Sequence, residues 1–518
     1  MPAITRYLIM PARGLQATAG NASAAAMNAL VNMVSNRSVA PLRTEMRSIL
    51  KSSVKKAGKK AAAAATQLFK VIDSVNENGV KLVEATPEMI AALRFEQPGL
   101  RAVPEVFYRP ALFRVTLKNK LPAAATASTK ILNVTVVRAA DQTPVAGVVV
   151  IGFTDYAQRT GTQGTTNASG KVALKVPSAT NYERLYVEHE LPNLWSFMEK
   201  NVATNGAVTI ELLPLDLSET DSLRHFHTIG GPTAGAGVRV GVIDSGVDAA
   251  HPDLQVTGGL GCVPGSTESD FGPSGSHGTH VAGIIAGRGN PPMGMGGIAP
   301  AAQIFAYRVF DDTANSGSSF GIVKAIRRGI EDGCDLLNMS LSFPHDENSG
   351  LPKVDEAVRA AISEAHQAGI VVLVAAGNDH RKPVAYPAMD DLAVAVSALG
   401  RKGTFPSKSG EAGDVAAPFG SDSKNFLAAF SNVGTDLDVA GAGVGVVSTV
   451  PGGHAPKSGT SMACPAVTGV LARLLSAAPN VLNMPRNADR ADAIKDLLFA
   501  QAVSLGFGLA NEGKGLPK

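Results

Sequence analysis

From about residue 230 onward, apolar runs of strand length alternate with helical stretches. The runs are "VRVGVID" (238–244), "QIFAYRVF" (303–310), "CDLLNMSLS" (334–342) and "IVVLVAAGN" (370–378). Between them stand "THVAGIIAG" (279–287), "FGIVKAIRRGIED" (320–332) and "VDEAVRAAISEAHQAG" (354–369). A strand without a polar face needs cover on both sides, which a parallel sheet flanked by helices supplies. About 280 residues are ample for one such α/β domain. In an open parallel sheet, functional groups collect beyond the carboxyl ends of the strands. That edge is therefore where chemistry is expected.

Two other regions precede it. Residues 1–115 open with a short strand, "RYLIMPARG", followed by an Ala-rich helical stretch and the low-complexity run "KKAGKKAAAAAT". They close with a strand, a helix entered at Thr86-Pro87-Glu88 and stopped near Pro98-Gly99, and a last strand, "LRAVPEVFY". This predicts a small α+β unit. Residues 131–215 change character: "ILNVTVVRA", "VAGVVVIGF", "KVALKVP" and "AVTIELLPL" are separated by turn chemistry such as "NASG" at 167–170. These predict a small β-sandwich.

Net charge over the 518 residues is only +3, which gives no reason to expect a nucleic-acid partner. Cys262, Cys334 and Cys464 are far apart and odd in number, so they make neither a disulfide framework nor a zinc spacing. No window reads as a membrane span, because Pro, Gly and Gln break the longest uncharged stretches. Residues 1–60 carry ten Lys/Arg against one acid, and this reads as a solvated basic helix and linker. The N-terminus lacks the apolar core of a secretory signal. The expected location is cytoplasmic, or reached by an export route without such a signal.

Four side chains are expected on the functional edge. Asp244 ends "VRVGVID" and Asn378 ends "IVVLVAAGN"; His277 in "SHGTHVAGIIAG" and Ser461 in "SGTSMACPAVTG" each open a helix. Taken singly, each has an ordinary reading, since an Asp at a strand end usually caps and an Asn there usually bonds backbone. Together they form a chemical set. A serine hydroxyl attacks only once a base takes its proton, and histidine suits that role near neutral pH. A buried aspartate fixes the imidazole tautomer, and an amide with a backbone N–H can bind an oxyanion. Within "SGTSMAC", however, Ser458, Thr460, Ser461 and Cys464 all offer a nucleophilic atom, and the segment alone does not choose among them.

The chain order Asp, His, Ser and the blocks "VGVIDSGVDAAHPDL", "HGTHVAGIIAG", "NMSLS", "VAAGN" and "SGTSMACPAVTGVLA" resemble the subtilisin-like serine proteases, over roughly residues 225–480. "GIAPAAQIFAYRVF" and "FSNVGTDLDVAGAGVGVVST" resemble them too. The resemblance implies a three-layer catalytic domain with a mainly parallel sheet over 225–510. It also implies a serine endopeptidase working through an acyl-enzyme, with Asp244 as orienter, His277 as base then acid, Ser461 as nucleophile and Asn378 in the oxyanion hole. No cofactor is implied for the chemistry. An extended peptide is expected to pair with Ser316-Gly317-Ser318 and Ser340-Leu341-Ser342. Leu341, Ala375, Ala376, Gly377 and the segment near Ala385 would line the main specificity pocket, with no acid there to favour a basic side chain. The family usually carries glycine after "NMSL"; Ser342 and Phe343 stand here, and Phe343 is expected to narrow the cleft.

Asp253 matches a position that often binds calcium, although "RGNPPMGMGG" lacks the usual Asn-rich partner loop; the plain alternative is a cap. His277 and His280, three apart, suggest a metal pair without a third ligand, so His280 reads as structural. Ser458 and Thr460 read as helix-capping hydroxyls and Cys464 as a packing residue. Pro465 reads as tolerated in the first turn. "GVKLVEATPEMIAALRFEQPGLRAVPEVFYRP" (79–110) resembles the end of the subtilisin propeptide, implying that residues 1–115 form an intramolecular inhibitor and the chain a zymogen. Residues 131–215 resemble carboxypeptidase-regulatory or transthyretin-like modules. Maturation is expected within 117–130 or near 216–230. Rival readings are a permanently shut binding scaffold and a peptide ligase or macrocyclase using the same acyl-serine chemistry.

Overall fold

The computed structural model describes residues 4–11, 69–76, 79–96, 99–121, 129–177, 181–289, 294–311, 316–346 and 348–518. The Ala-rich helix and Lys-rich run expected between residues 12 and 68 lie outside them.

The first unit is a four-stranded antiparallel sheet, order β2-β3-β1-β4, made of β1 (Thr5–Pro11), β2 (Phe69–Ser74), β3 (Lys81–Ala85) and β4 (Leu100–Pro104). Helix α1 (Pro87–Glu96) covers one face. Alternation along the strands sorts their side chains by face. Ile9, Val83 and Ala85 meet Ile90 and Leu93 of α1, whereas Leu8, Met10 and Leu82 join a core that contains Phe320 and Val323 of the last unit. The stretch "LRAVPEVFY" is not one strand, as the sequence suggested. Pro104 has no N–H with which to continue a ladder. Beyond it, Val106 N–H donates to Ser319 Oγ (3.1 Å) and Val106 C=O accepts from Ser319 N–H (2.8 Å). The chain then forms a separate strand, β5 (Phe107–Pro110), inside the last unit.

The second unit has two facing sheets. Strands β6 (Asn119–Lys120), β7 (Thr129–Arg138), β8 (Val149–Asp155), β9 (Thr160–Thr165), β10 (Lys171–Pro177), β11 (Asn181–Glu188), β12 (Phe197–Ala203) and β13 (Gly206–Leu212) are ordered β10-β7-β13 and β12-β11-β8-β9-β6. Val134, Leu174 and Ile210 of one sheet meet Val150, Leu185 and Val187 of the other in a common core. At 167–170, Asn167 Oδ1 accepts from Ser169 and Lys171 N–H, and Gly170 takes a positive φ of 70°. Strand β9, "TGTQGT", has no apolar alternation, which is why periodicity does not reveal it.

The last unit is built on an eight-stranded sheet. Along β15-β16-β14-β18-β20-β21 the strands are parallel; β22 is an antiparallel edge, and β23 also pairs with β21. They are β14 (Arg239–Asp244), β15 (Val256–Gly261), β16 (Gln303–Arg308), β18 (Leu336–Met339), β20 (Val371–Ala375), β21 (Ala393–Arg401), β22 (Asn425–Leu427) and β23 (Val439–Ala442). Helices α2 (His277–Ala286) and α5 (Thr460–Ser476) cover one face. Helices α3 (Ser319–Glu331) and α4 (Glu356–Gln367) cover the other. Adjacent residues point to opposite layers: Val371, Leu373 and Ala375 pack with α5, Val372 and Val374 with α3 and α4. This is the three-layer α/β arrangement that uninterrupted apolar strands require. Two short strands, β17 (Gly317–Ser318) and β19 (Leu341–Ser342), lie off this sheet.

The second unit rests on the last. Trp195 packs against Met295 and Val447, and Asn193 N–H donates to His454 C=O (2.7 Å). A cavity of about 470 Å³ lies between the two units, its wall including Glu188, Glu411, Asp414, Arg114 and Lys457.

Candidate active site

Asp244, the last residue of β14, is fully buried, and His277 opens α2 beside it. Their contact is 2.7 Å between His277 Nδ1 and Asp244 Oδ1. A carboxylate can only accept, so in the neutral imidazole this contact selects the tautomer with the proton on Nδ1 and the lone pair on Nε2. Nε2 has no hydrogen-bond partner among the described residues. The approach of α2 to β14 depends on Gly278, where a Cβ would stand 2.3 Å from Gly246 C=O. Ser245 locks the corner, its N–H donating to Asp244 Oδ1 (2.7 Å) and its Oγ accepting from Gly278 N–H (3.0 Å).

Ser461 lies in the first turn of α5, and its hydroxyl donates to Ser340 C=O (3.0 Å). Pro465 sits one turn deeper than the first turn and removes the N–H that would have bonded Ser461 C=O. Ser340 Oγ replaces it at 2.9 Å and is itself held by Asn338 Nδ2 (2.9 Å). The proline is therefore tolerated because a neighbouring hydroxyl supplies the missing donor. Cys464 is buried with its thiol on Asn338 Oδ1 (3.2 Å), and burial pushes that thiol well above its ordinary range. It packs, and it is not poised as a thiolate.

Asn378 follows β20 by three residues. Its Oδ1 accepts from both Thr460 N–H (3.0 Å) and Thr460 Oγ–H (2.9 Å), which orients the amide. The opposite end, Nδ2, donates to the carbonyl of Ala111, and Ser461 N–H donates to that same oxygen (3.1 Å). The Ala111 carbonyl thus lies between the Ser461 backbone and the Asn378 amide, while the Ser461 hydroxyl is engaged by Ser340 and not by His277. Upstream of it, β5 pairs antiparallel on both sides: Tyr108 opposite Gly317 and Phe107 opposite Ser318, Pro110 opposite Leu341 and Arg109 opposite Ser342. Ala111 N–H adds a bond to Ser340 C=O (3.0 Å). Gly459 makes room, since a Cβ there would come within 2.6 Å of Ala111 C=O.

The chain stays attached downstream too. Phe113 N–H donates to Ser458 C=O (2.9 Å), and its ring stacks on Phe430 (4.7 Å). Arg114 pairs with Glu190 (2.6 Å), which also accepts from Lys457 (2.9 Å) and Ser276 Oγ (2.7 Å). Burial alone would raise the Glu190 carboxyl, but the Lys457 and Arg114 cations hold it down at about 2.

The matches to known proteins concentrate on this unit. Residues 235–515 match the family model for the subtilase family, more than half of the chain. The chain belongs to the subtilase family. It is 37% identical over 287 residues to subtilisin from Bacillus pumilus, covering 54% of this chain and 89% of that protein. Subtilisin NAT from Bacillus subtilis subsp. natto is likewise 37% identical over 287 residues, and the match spans 64% of its length, just under two thirds. The thermostable alkaline protease of Halalkalibacterium halodurans is 33% identical over 318 residues, 61% of this chain and 77% of that protein.

Several expectations from sequence meet a different arrangement in this subtilase. The Phe343 ring lies 5.2 Å from that of Tyr108 and forms a wall beside it. Ser316 lies outside β17, and residues 312–315 before it are not among those described. Ala375 is buried in the same cluster as Ala111, Ala385 N–H donates to Ala376 C=O (2.9 Å), and Gly377 N–H donates to Thr460 Oγ1 (3.2 Å). Leu341 is fully buried. The backbone seated over Ser461 is 107–113, upstream of both segments expected to hold the maturation cut.

Asp253 is committed elsewhere. Its Oδ2 accepts from His454 Nε2 (2.8 Å) and Met295 N–H (2.8 Å), tying down the segment after α2. Calcium requires a shell of six to eight oxygens, and N–H donors on the carboxylate do not fit it. No group of three His, Cys, Asp or Glu that could hold a metal occurs among the described residues. His280 Nε2 contacts the carbonyls of Val446 (3.1 Å) and Ala455 (2.9 Å), a structural role. Sequence reasoning missed Thr460 as the orienter of Asn378, Ser340 as the proline's substitute donor, and Tyr108, Asp355 and Glu190 altogether. The adjacency of Thr460 to Ser461 was the one available signal. Among the described residues, no helix is long and apolar enough to cross a membrane.

Proposed function

We propose that the chain is a subtilisin-type serine endopeptidase in zymogen form, whose first substrate is its own Ala111–Leu112 bond. One observation carries this reading: the Ala111 carbonyl oxygen rests between Ser461 N–H and the Asn378 amide, at the end of a strand paired on both sides. The fragment ending at Ala111 then acts as an intramolecular inhibitor, with β5 occupying the cleft as an added strand. Other substrates are extended peptides bound the same way.

The geometry supports the following roles. Ser461 Oγ–H must leave the Ser340 carbonyl for the unpartnered Nε2 of His277 before Oγ attacks the Ala111 carbonyl carbon. Asp244, held on Nδ1–H, keeps the tautomer and stabilises the imidazolium. Negative charge gathers on an oxygen that already has two fixed donors. His277 returns the proton to the Leu112 nitrogen, and water then attacks the Ala111 acyl-serine by the same base.

The test is expression of the chain and of Ser461→Ala. The wild type should yield a fragment whose N-terminal residue is Leu112 and digest a denatured protein, whereas the variant stays whole and inert. Identical behaviour of the two chains, read by intact mass and N-terminal sequencing, would refute the reading.

A further inference from the structure

Strand β5 seats one of its side chains against a built polar partner. Tyr108, three residues before Ala111, is fully buried. Its ring lies against Phe343, tilted by 34°, and its hydroxyl donates to Asp355 Oδ2 at 3.0 Å. Asp355 is itself 6% exposed and stands just before α4 as its cap. The cap uses only one carboxylate oxygen: Oδ1 accepts from Ala357 N–H (2.9 Å) and Val358 N–H (3.3 Å). Its backbone carbonyl accepts from Tyr386 Oη (3.1 Å), so Asp355 is fixed from three directions. Oδ2 is left facing the space that Tyr108 fills, between an aromatic wall and the buried residues around Leu341 and Val384.

Resting on the protease reading above, we infer that the cleft selects peptides with tyrosine at the fourth residue before the cut bond, and that Asp355 distinguishes tyrosine from phenylalanine. Apolar burial of the ring is common to both residues and cannot separate them. The hydroxyl can, because a phenylalanine would leave a buried carboxylate oxygen facing its ring edge without a donor. A site built to bond a hydroxyl rejects the analogue lacking it far more strongly than an apolar pocket rejects a change of size. Phe343 therefore sets the shape of this subsite and Asp355 its chemistry. The peptide that Tyr108 introduces, Tyr-Arg-Pro-Ala, is the template for such substrates.

The experiment uses the self-processed chain and two quenched-fluorescent hexapeptides, Tyr-Arg-Pro-Ala-Leu-Phe and Phe-Arg-Pro-Ala-Leu-Phe. The expected ratio of kcat/KM, tyrosine over phenylalanine, is about 10- to 100-fold. Asp355→Ser retains a good helix cap and loses Oδ2, so it should fold and reduce the ratio to near one. Equal cleavage of the two peptides by wild type overturns the selectivity. A ratio that persists in Asp355→Ser overturns the role of Asp355. A chain that trims itself yet leaves both peptides whole also overturns the inference, since the pocket would then serve only the internal segment. Failure of the chain to cut itself or either peptide would instead refute the protease reading beneath it.

Discussion

Replacing Thr460 by valine isolates what positions the Asn378 amide. Valine fills the same volume and removes only the hydroxyl. That hydroxyl donates to Asn378 Oδ1 (2.9 Å) and accepts from the buried Gly377 N–H (3.2 Å), whereas the Thr460 backbone N–H still reaches Oδ1 (3.0 Å). Two consequences can be sized separately. The orphaned Gly377 N–H and the lost bond should lower stability by about 1–3 kcal/mol. Complete removal of an oxyanion donor costs about 3–4 kcal/mol in the transition state. A donor loosened but still half-held should cost less, on the order of 1–2 kcal/mol, or about 5- to 30-fold in kcat. KM should change little, because pairing with β17 and β19 is untouched. The assay is first-order conversion of the chain into its two fragments, together with steady-state kcat and KM on a peptide. Thr460→Ser retains the hydroxyl and should recover most of the rate. If Thr460→Val loses stability but keeps kcat within twofold, the backbone N–H alone orients the amide and the argument is wrong.

Two further predictions concern the second unit. Burial raises Glu188, with the Glu411 charge adding to it, to about 8, although Arg114 and Lys457 oppose the shift. Glu411 and Asp414 are raised by burial as well, Asp414 further by Glu411 and Glu188 against Arg159 and Arg184. Carboxyls whose folded values exceed their unfolded ones bind more protons when docked, so docking is strongest below about 4.5 and weakens as pH rises through about 8. Trp195, the single tryptophan, is buried at that interface, and its emission should shift red over this window; a constant spectrum from pH 5 to 9 would refute the linkage. Glu190→Gln removes the shared partner of Arg114 and Lys457. The fragment beginning at Leu112 should then become several-fold more accessible to an added aminopeptidase, and unchanged trimming would show that the stacked Phe113 suffices.

The positions of the candidate residues were legible because strand ends and helix starts have local signatures. "VRVGVID" and "IVVLVAAGN" show where Asp244 and Asn378 stand, and helix starts behind Ser276 and Gly459 show where His277 and Ser461 stand. What was not legible depends on which surfaces meet. Phe107–Pro110 has the same strand propensity whether it extends the first sheet or enters the cleft, and nothing local distinguishes the two. What Phe343 packs against was not legible, because its partner Tyr108 lies 235 positions earlier. Glu190 reads as a surface acid until the second unit is set against Lys457 and Ser276. Pro465 was misjudged by one turn, since its compensation comes from Ser340 on another element.

The grip on residues downstream of Ala111 has a kinetic consequence. In the proposed self-processing reaction, scission of Ala111–Leu112 would make a nick rather than a separation, because Phe113 and Arg114 are held by Ser458, Phe430 and Glu190. A tethered, oriented nucleophile has an effective molarity on the order of 10⁵ M or more, far above that of bulk water. Resealing therefore competes with hydrolysis until one side lets go. On that proposal the duration of latency is set by the release of residues 112–114, with chemistry at Ser461 running ahead of it.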